Sequence, residues 1–460
     1  MIFNRTIEKL LKDWKMKSNR KPLIIRGARQ VGKTTCIRKF SESYNYSISL
    51  NLEKASDLAY FNIFNDIRPL LESLFLSANI PMSSLNETLL FIDEIQESPK
   101  ALQMLRYMHE EFPELHVIAA GSLLEFAMKK VKSFPVGRVE YIYLHPLNFQ
   151  EFLEASGHHA AIEQLNKTPL DTYAHKPLLN LFNQYAIIGG MPEIVNTYIE
   201  KKSITELPAV YESIWSTYKN DIEKYASNET ERKVIKHIIS TAHYYVDQRI
   251  KFQNFGQSNY RSREVGEAFR NLDDARIIQL IYPATDIEVP VKPDLRKSPR
   301  LQFLDTGIIN HKLGIQAEML AFADLSNSYK GAIIPHLVMQ ELISLNTMKF
   351  KKPLFWVRDK KQSSAELDIL YSYRDKVIPI EIKSGRTGTL RSLHQFIERC
   401  DHPFAVRLYA GEYNVMETKT PGGKSYFLMN LPYFLGTRLP EYIDHFVRNY
   451  KNKILTDPAR

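Results

Sequence analysis

Residues 24–35 read IIRGARQVGKTT, with Gly27 and Gly32 bracketing four residues and Lys33-Thr34 following at once. This is the spacing G-x-x-x-x-G-K-[ST]. A loop of this kind wraps backbone N–H groups around phosphate oxygens, an approach that glycine permits because it lacks a Cβ. The lysine then reaches the outer phosphates and the hydroxyl a magnesium ion. Gly27, Ala28, Arg29, Gln30, Val31, Gly32, Lys33, Thr34 and Thr35 are therefore the candidate phosphate-holding residues, with Thr34 also a metal ligand. The flanking pattern supports this. PLII reads as a buried strand and TTCIRKFSES as a helix, which sets a helix N-terminus against the anion.

A phosphate loop needs a partner for its metal, and TLLFIDEIQESP (88–99) has the right character. Leu89 to Ile92 form a continuous apolar run, expected of a parallel strand covered on both faces. Asp93 and Glu94 follow at its carboxyl end, where ligands of open α/β sheets sit. Asp93 is placed to hold Mg²⁺, and Glu94 to orient or deprotonate an attacking water. A third strand, LHVIAAGS, ends in Gly121-Ser122, putting Ser122 near the γ-phosphate. Arg138 precedes a further strand, EYIYL, and is a candidate for stabilising charge on a neighbouring subunit's nucleotide; a plain surface arginine is the competing reading.

A second constellation lies in SAELDILYSYRDKVIPIEIKSG (364–385), two strand-like runs around a polar turn. Strand side chains alternate faces, so Glu381 and Lys383 share one face and Ile378, Ile380 and Ile382 the other. A symmetric turn at Arg374-Asp375 sets Asp368 across from Glu381, roughly 5 Å apart at Cβ. Two carboxylates so close repel unless a counter-ion intervenes. A divalent cation would relieve the repulsion, and Lys383 would position a water beside it. The competing reading is an edge strand whose charges block aggregation.

The order of the N-terminal parts resembles an AAA-type P-loop ATPase. The wording GARQVGKTT, FIDEIQ, AGSLLEF, HPLNFQEFL and GGMPEIV is similar to a group of bacterial and archaeal ATPases that carry a C-terminal domain of unknown function. The resemblance covers nearly the whole chain and implies ATP and Mg²⁺ binding with hydrolysis. The hairpin resembles the PD-(D/E)xK nuclease fold. That resemblance implies Asp368 and Glu381 as ligands of a second Mg²⁺ or Mn²⁺, Lys383 as the catalytic assistant, and Glu341, from an earlier helix, as an added acid. Where relatives carry a longer serine run, this chain has AGSLLEF, which leaves the role of Ser122 open.

The fold class expected is α/β: a parallel-sheet P-loop core over residues 1–155, a helical lid over 156–225, a winged-helix-like module over 226–294, and an α/β nuclease-like domain over 295–460. In the third segment, YRSREVGEAFRNLDDARI would be the DNA-reading helix, with Arg261, Arg263 and Arg270 for phosphates. Glu264, Glu267, Asp273 and Asp274 lie among them and oppose a phosphate backbone. Gly189-Gly190 breaks the lid, as a hinge or an interhelix turn, and Asp305 in FLDTGIINHKLG reads as structural.

Composition sets the outer bounds. The chain has 460 residues, 44% hydrophobic and 25% charged, with a net charge of +9, which permits an acidic polymer as partner without requiring one. Two cysteines exclude a disulfide framework and point to a reducing cytoplasm. No run reaches the ~18 apolar residues of a membrane span. ATP is the expected ligand, with DNA and a second copy of the chain left open as partners. Two functions fit: an ATPase that couples turnover to nucleic-acid binding or processing, and a nucleotide-gated switch whose nuclease-like domain is inert.

Overall fold

The computed structural model describes residues 2–122, 124, 137–221, 226–317, 331–360, 363–385 and 388–455. All but Leu124 of the LLEF continuation after Ser122, the SFPV before Gly137, the end of the lid's third helical stretch (222–225) and the last five residues of the tail lie outside them. The chain divides into two compact units. One is Met1–Leu147 with Asn271–Ile277 and Asn346–Phe350; the other is Asn148–Arg270, Ile278–Leu345 and Lys351–Arg460.

The first unit is built on five parallel strands: β1 (Leu23–Arg26), β2 (Tyr46–Asn51), β3 (Thr88–Asp93), β4 (His116–Gly121) and β5 (Glu140–Tyr143). Their order is β2-β3-β4-β1-β5. The helices are α1 (Ile7–Lys15), α2 (Lys33–Ser41), α3 (Ala55–Ile63), α4 (Ile67–Ser77) and α5 (Pro99–Glu111). Strands β1, β3 and β4 are buried along their whole length, the burial that their continuous apolar runs require. One face packs Ile24, Leu90, Ile92 and Ala119 against Leu70, Leu74, Leu102 and Leu105 of α4 and α5.

The second unit opens with helices: α6 (Phe149–Ala155), α7 (His159–Leu165), α8 (His175–Ile188), α9 (Pro192–Lys201), α10 (Pro208–Asn220), α11 (Glu229–Thr241) and α12 (Ser262–Asp274), the last reaching into the segment grouped with the first unit. Strand β6 (Ile278–Ile281) pairs antiparallel with β8 (Arg300–Phe303), and β7 is Pro283–Ala284. Helices α13 (Thr306–Leu313) and α14 (Ile333–Ser344) come next. They lead to β9 (Leu354–Lys360), β10 (Ser363–Tyr373), β11 (Lys376–Ile382), α15 (Arg391–Ile397), β12 (Phe404–Tyr409), β13 (Asn414–Lys419), β14 (Ser425–Pro432) and α16 (Leu439–Leu455). The mixed sheet runs β13-β14-β12-β11-β10-β9-β7. The hairpin turns at residues 374–375, with Tyr373 opposite Lys376 and Ile369 opposite Ile380. Strand β11 is central, paired with β10 and β12, so the Glu381 strand is not an edge. Among the described residues, no helix is long and apolar enough to cross a membrane.

The Gly189-Gly190 break and the Asp305 stretch meet inside this unit. Helix α8 ends at Ile188 and leaves carbonyls without intrahelical partners. Tyr211 donates to the Ile188 carbonyl at 2.6 Å and Asn310 Nδ2 to that of Ala186 at 2.8 Å. Asp305 accepts the Gly190 N–H at 2.6 Å on Oδ2 and caps α13 by accepting the Ile308 N–H at 3.2 Å on Oδ1. The Gly189-Gly190 break is thus a turn pinned by a carboxylate only 1% exposed. Asp305→Ala leaves both amide hydrogens buried without acceptors. It should lower the unfolding free energy by about 3 kcal/mol in chemical denaturation; a change within error of zero would show that the turn is held by other groups.

Candidate active site

Strand β1 ends at Arg26, and the chain turns through Gly27 to Gly32 before α2 begins at Lys33. A Cβ at Gly27 would strike the Leu144 carbonyl oxygen, and Gly32 sits at φ 93°, so both glycines are required by geometry. Gln30 also takes a positive φ, 62°. Ala28 and Val31 are buried, Arg29 pairs with Glu53 at 2.7 Å, and Thr35 is exposed. The loop therefore has the glycine and left-handed positions that let backbone amides approach an anion ahead of the α2 N-terminus.

Lys33 reaches back to this loop. Its side chain is buried and its Nζ donates to the carbonyls of Gly27 (3.1 Å) and Ala28 (2.8 Å), with no salt bridge among the described residues. Burial pulls its pKa down to about 8, while Glu94 and Asp93 act in the opposite sense. An ammonium whose hydrogen bonds go only to carbonyls suits an incoming anion.

Strand β4 lies between β1 and β3, so the loop and the acidic strand end are separated by one strand in the sheet. They meet even so: Thr34 Oγ1 donates to Asp93 Oδ2 at 2.6 Å. Burial, the largest influence, raises the Asp93 pKa, and the Thr34 hydrogen bond opposes it. A hydroxyl and a carboxylate are the hard oxygen donors that Mg²⁺ takes from protein, the rest of its shell coming from water and phosphates. The residues fit that ion. Glu94 sits in the left-handed region at φ 51°, and its carboxylate accepts from Gln96 Nε2 at 2.5 Å. Ser122, at the end of the intervening strand, is buried, with its Oγ unpartnered among the described residues. Arg138 is half exposed and bonds Glu110 at 2.8 Å.

Two further residues serve this site. Arg5 is 8% exposed and donates to the carbonyls of Val31 (3.0 Å) and His145 (2.6 Å). A peptide is planar and trans, so fixing the Val31 carbonyl on one side fixes the Gly32 N–H on the other. No local pattern reveals Arg5, which lies 26 residues from Val31. Gln96 orients Glu94; its position two residues on, in DEIQ, was the available signal.

Residues 19–153 match the profile of an AAA domain. They form an AAA-type P-loop core. Residues 179–319 and 330–432 match two domains of unknown function, DUF8612 and DUF4143. No curated protein matches the chain. Among solved structures, similarity is found to a signal transduction ATPase with numerous domains (STAND) from Pyrococcus horikoshii: 12% identity, 75% of this chain, 48% of that one and TM-score 0.29. The chain thus spans about half the length of that relative. AMPPCP-bound DnaA from Aquifex aeolicus aligns at 13% identity over 59% of this chain and 88% of the other, TM-score 0.27. The Thermotoga maritima RuvB branch migration motor aligns at 15% over 60% and 89%, TM-score 0.26.

The hairpin constellation is assembled, but with different company. Lys383 Nζ lies 2.6 Å from Glu381 Oε1, and Asp368 Oδ2 accepts the Ile382 N–H at 2.8 Å. Burial first, and then Asp368, pushes the Glu381 pKa up to about 7. The counter-ion is Arg300. Its side chain is 5% exposed and lies 3.3 Å from Asp368 Oδ1 and 3.6 Å from Asp247 Oδ1, with Glu366 a third partner. Burial opposes its charge, but Asp247, Asp368 and Glu366 hold it protonated above the ordinary guanidinium value. Arg300 lies 68 residues before Asp368, so no local pattern in the sequence records its role.

A second metal site in this domain is not supported among the described residues. Glu341, expected as an added ligand, is fully buried elsewhere in the hydrogen-bond network: it accepts from the Phe149 N–H at 3.1 Å and from the Tyr185 hydroxyl at 2.8 Å. Asp368 is paired with Arg300, and among the described residues no group of three or more His, Cys, Asp or Glu side chains can hold a metal ion. Burial drives the Glu341 pKa from 4.5 up to about 8. Its folded pKa lies above its unfolded one, so its contribution to stability is complete below about 4.5, declines as pH rises, and is gone once pH passes about 8. Glu341→Gln mimics the neutral acid. The unfolding free energy of the wild type, measured from pH 5 to 8, should fall relative to that variant; parallel curves would show that Glu341 is ionised in the fold.

Proposed function

We propose that the chain binds and hydrolyses ATP at the Gly27–Thr34 loop and uses the turnover to change the state of its C-terminal domain. The observation that carries this is the Thr34 hydroxyl on the Asp93 carboxylate at 2.6 Å, in the same loop whose carbonyls hold a buried ammonium, Lys33. In this reading Lys33 and the loop amides grip the β- and γ-phosphates, and Thr34 and Asp93 hold Mg²⁺, which supplies charge neutralisation at the phosphates. Glu94, steadied by Gln96, orients the attacking water and takes its proton, and Ser122 lies toward the γ-phosphate. Arg138 would complete the site of a neighbouring copy by exchanging Glu110 for phosphate. A cytoplasmic setting accords with Cys36 and Cys400, both free thiols.

Lys33→Ala should weaken ATP binding by roughly tenfold to a hundredfold, measured by calorimetry. Glu94→Gln should leave that affinity intact and slow turnover by on the order of a hundredfold. Normal turnover in Glu94→Gln would move the water-handling role to another residue.

The finer reading couples turnover to nucleic-acid binding or processing through the C-terminal domain, with α12 and its neighbours as a winged-helix-like module and Asp368, Glu381 and Lys383 as nuclease groups. A second reading, a nucleotide-gated switch with an inert nuclease-like domain that binds a protein partner, is favoured by one observation: Arg300 occupies the charge-neutralising role a catalytic cation would need. Wild type and Asp368→Ala should then behave alike on DNA with Mg²⁺ or Mn²⁺. Metal-dependent cleavage present in the wild type and absent in Asp368→Ala would overturn the inert reading.

A further inference from the structure

The acidic patch and a basic cleft occupy opposite faces of strand β9. Phe355 carries Arg300, whose guanidinium lies 4.7 Å from the ring, and so marks the patch side. Trp356 and Arg358 alternate to the other side, where α15 packs: Trp356 meets Phe396 edge-on at 5.4 Å and shares a core with Leu393 and Ile397. On that side a cleft of about 720 Å³ opens between the loop 285–290, β9 and the residues just past α15. Lys297, Arg358 and Arg399 line it, with Trp356 between them and Asp286 and Glu288 on the exposed loop.

The two arginines are poorly neutralised. Arg358 makes one hydrogen bond, to the neutral amide of Gln395 at 3.2 Å, and its Nε is buried without a partner among the described residues. Arg399 lies over the Trp356 ring at 5.7 Å. Burial first, and then the neighbouring Arg358, lowers its pKa, the sign of two guanidinium groups facing one space. Neither makes a salt bridge with Asp286, Glu288 or any other acid among the described residues. The support beneath them is fixed, because Trp356 is 2% exposed and its Nε1 donates to the Thr285 carbonyl at 3.2 Å, tying the loop to the strand. Two converging guanidiniums present planar forks of N–H donors, the geometry that matches phosphate oxygens. The two acids on the loop are acceptors suited to the hydroxyls or amines of the group that carries the phosphate.

We propose that this cleft binds a phosphate ester, with Arg358 and Arg399 clasping the phosphate and Asp286 and Glu288 reading the attached sugar or base. A free nucleotide and a stretch of polynucleotide backbone share that chemistry. The site lies in the second unit and stands apart from the ATP reading, so it is tested in a full-length Lys33→Ala background, with ATP binding by the parent chain measured separately. The probes are AMP, followed by calorimetry, and a fluorescein-labelled single-stranded oligonucleotide, followed by anisotropy over a range of salt concentrations.

At least one probe should bind, and Arg358→Gln/Arg399→Gln should weaken it by about tenfold or more. If the oligonucleotide is the probe affected, its salt slope should fall by about 1.4, about 0.7 for each phosphate that an arginine no longer neutralises, and the source is a polynucleotide. If only AMP is affected, the source is a free nucleotide. Arg399→Glu, at an exposed position, should weaken the same probe. The proposal is overturned if neither probe binds, or if both bind equally well to the parent and to these variants.

Discussion

One short hydrogen bond organises the first unit: the Thr34 hydroxyl on the Asp93 carboxylate, at 2.6 Å. Thr34 follows β1 and Asp93 ends β3, and β4 lies between them. The bond exists because all three strands are parallel and point their carboxyl ends the same way, so that a helix start and two strand ends share one rim. A buried ammonium beside this rim is costly to hold without an anion. The protein holds it with two backbone carbonyls and with acids that favour its charge from a distance, an arrangement that leaves room for phosphate. Arg5 extends the same logic to the loop itself, since a planar peptide clamped at its oxygen cannot turn its neighbouring N–H away.

The second unit obeys a different constraint, that buried polar groups need partners. Asp305 satisfies amides at the start of α13 and after α8, Glu341 accepts from Phe149 and Tyr185, and Tyr211 and Asn310 serve the last carbonyls of α8. Four of these six bonds join residues more than a hundred positions apart, as between Gly190 and Asp305. Two phrases of the sequence, GGMPEIV and FLDTGIINH, thus turn out to be two halves of one joint, and their distinctive wording reflects packing.

Around Asp368 two cations compete in principle for one role. A divalent ion would bring two charges and open coordination positions; a guanidinium brings one charge and a fixed fork of donors. Arg300 takes the place beside Asp247, Glu366 and Asp368, and Lys383 serves Glu381. With Arg249 3.7 Å from Glu366, three cations face these four acids from within the chain, and burial raises the pKa of Asp247 and Glu381 to about 7. The same sheet carries positive charge on its opposite face at Arg358 and Arg399, so strand β9 separates an arginine-centred acidic patch from a basic cleft.

The sequence by itself determined what depends on local spacing. The glycine loop, the apolar strand ending in Asp93 and Glu94, and the hairpin turning at residues 374–375 were all readable, because strand period, loop dihedrals and turn symmetry are set by residues within a few positions of one another. Tertiary structure alone decided which strand stands between the loop and its acid, that Arg5 clamps Val31, that Glu341 is a buried hydrogen-bond acceptor, and that Arg300 is the counter-ion of Asp368. Each of these turns on which distant charge or dipole arrives at a buried group. Arg300 lies 68 residues from Asp368 and Glu341 lies 192 from Phe149, and over such separations no periodicity in the chain records the meeting.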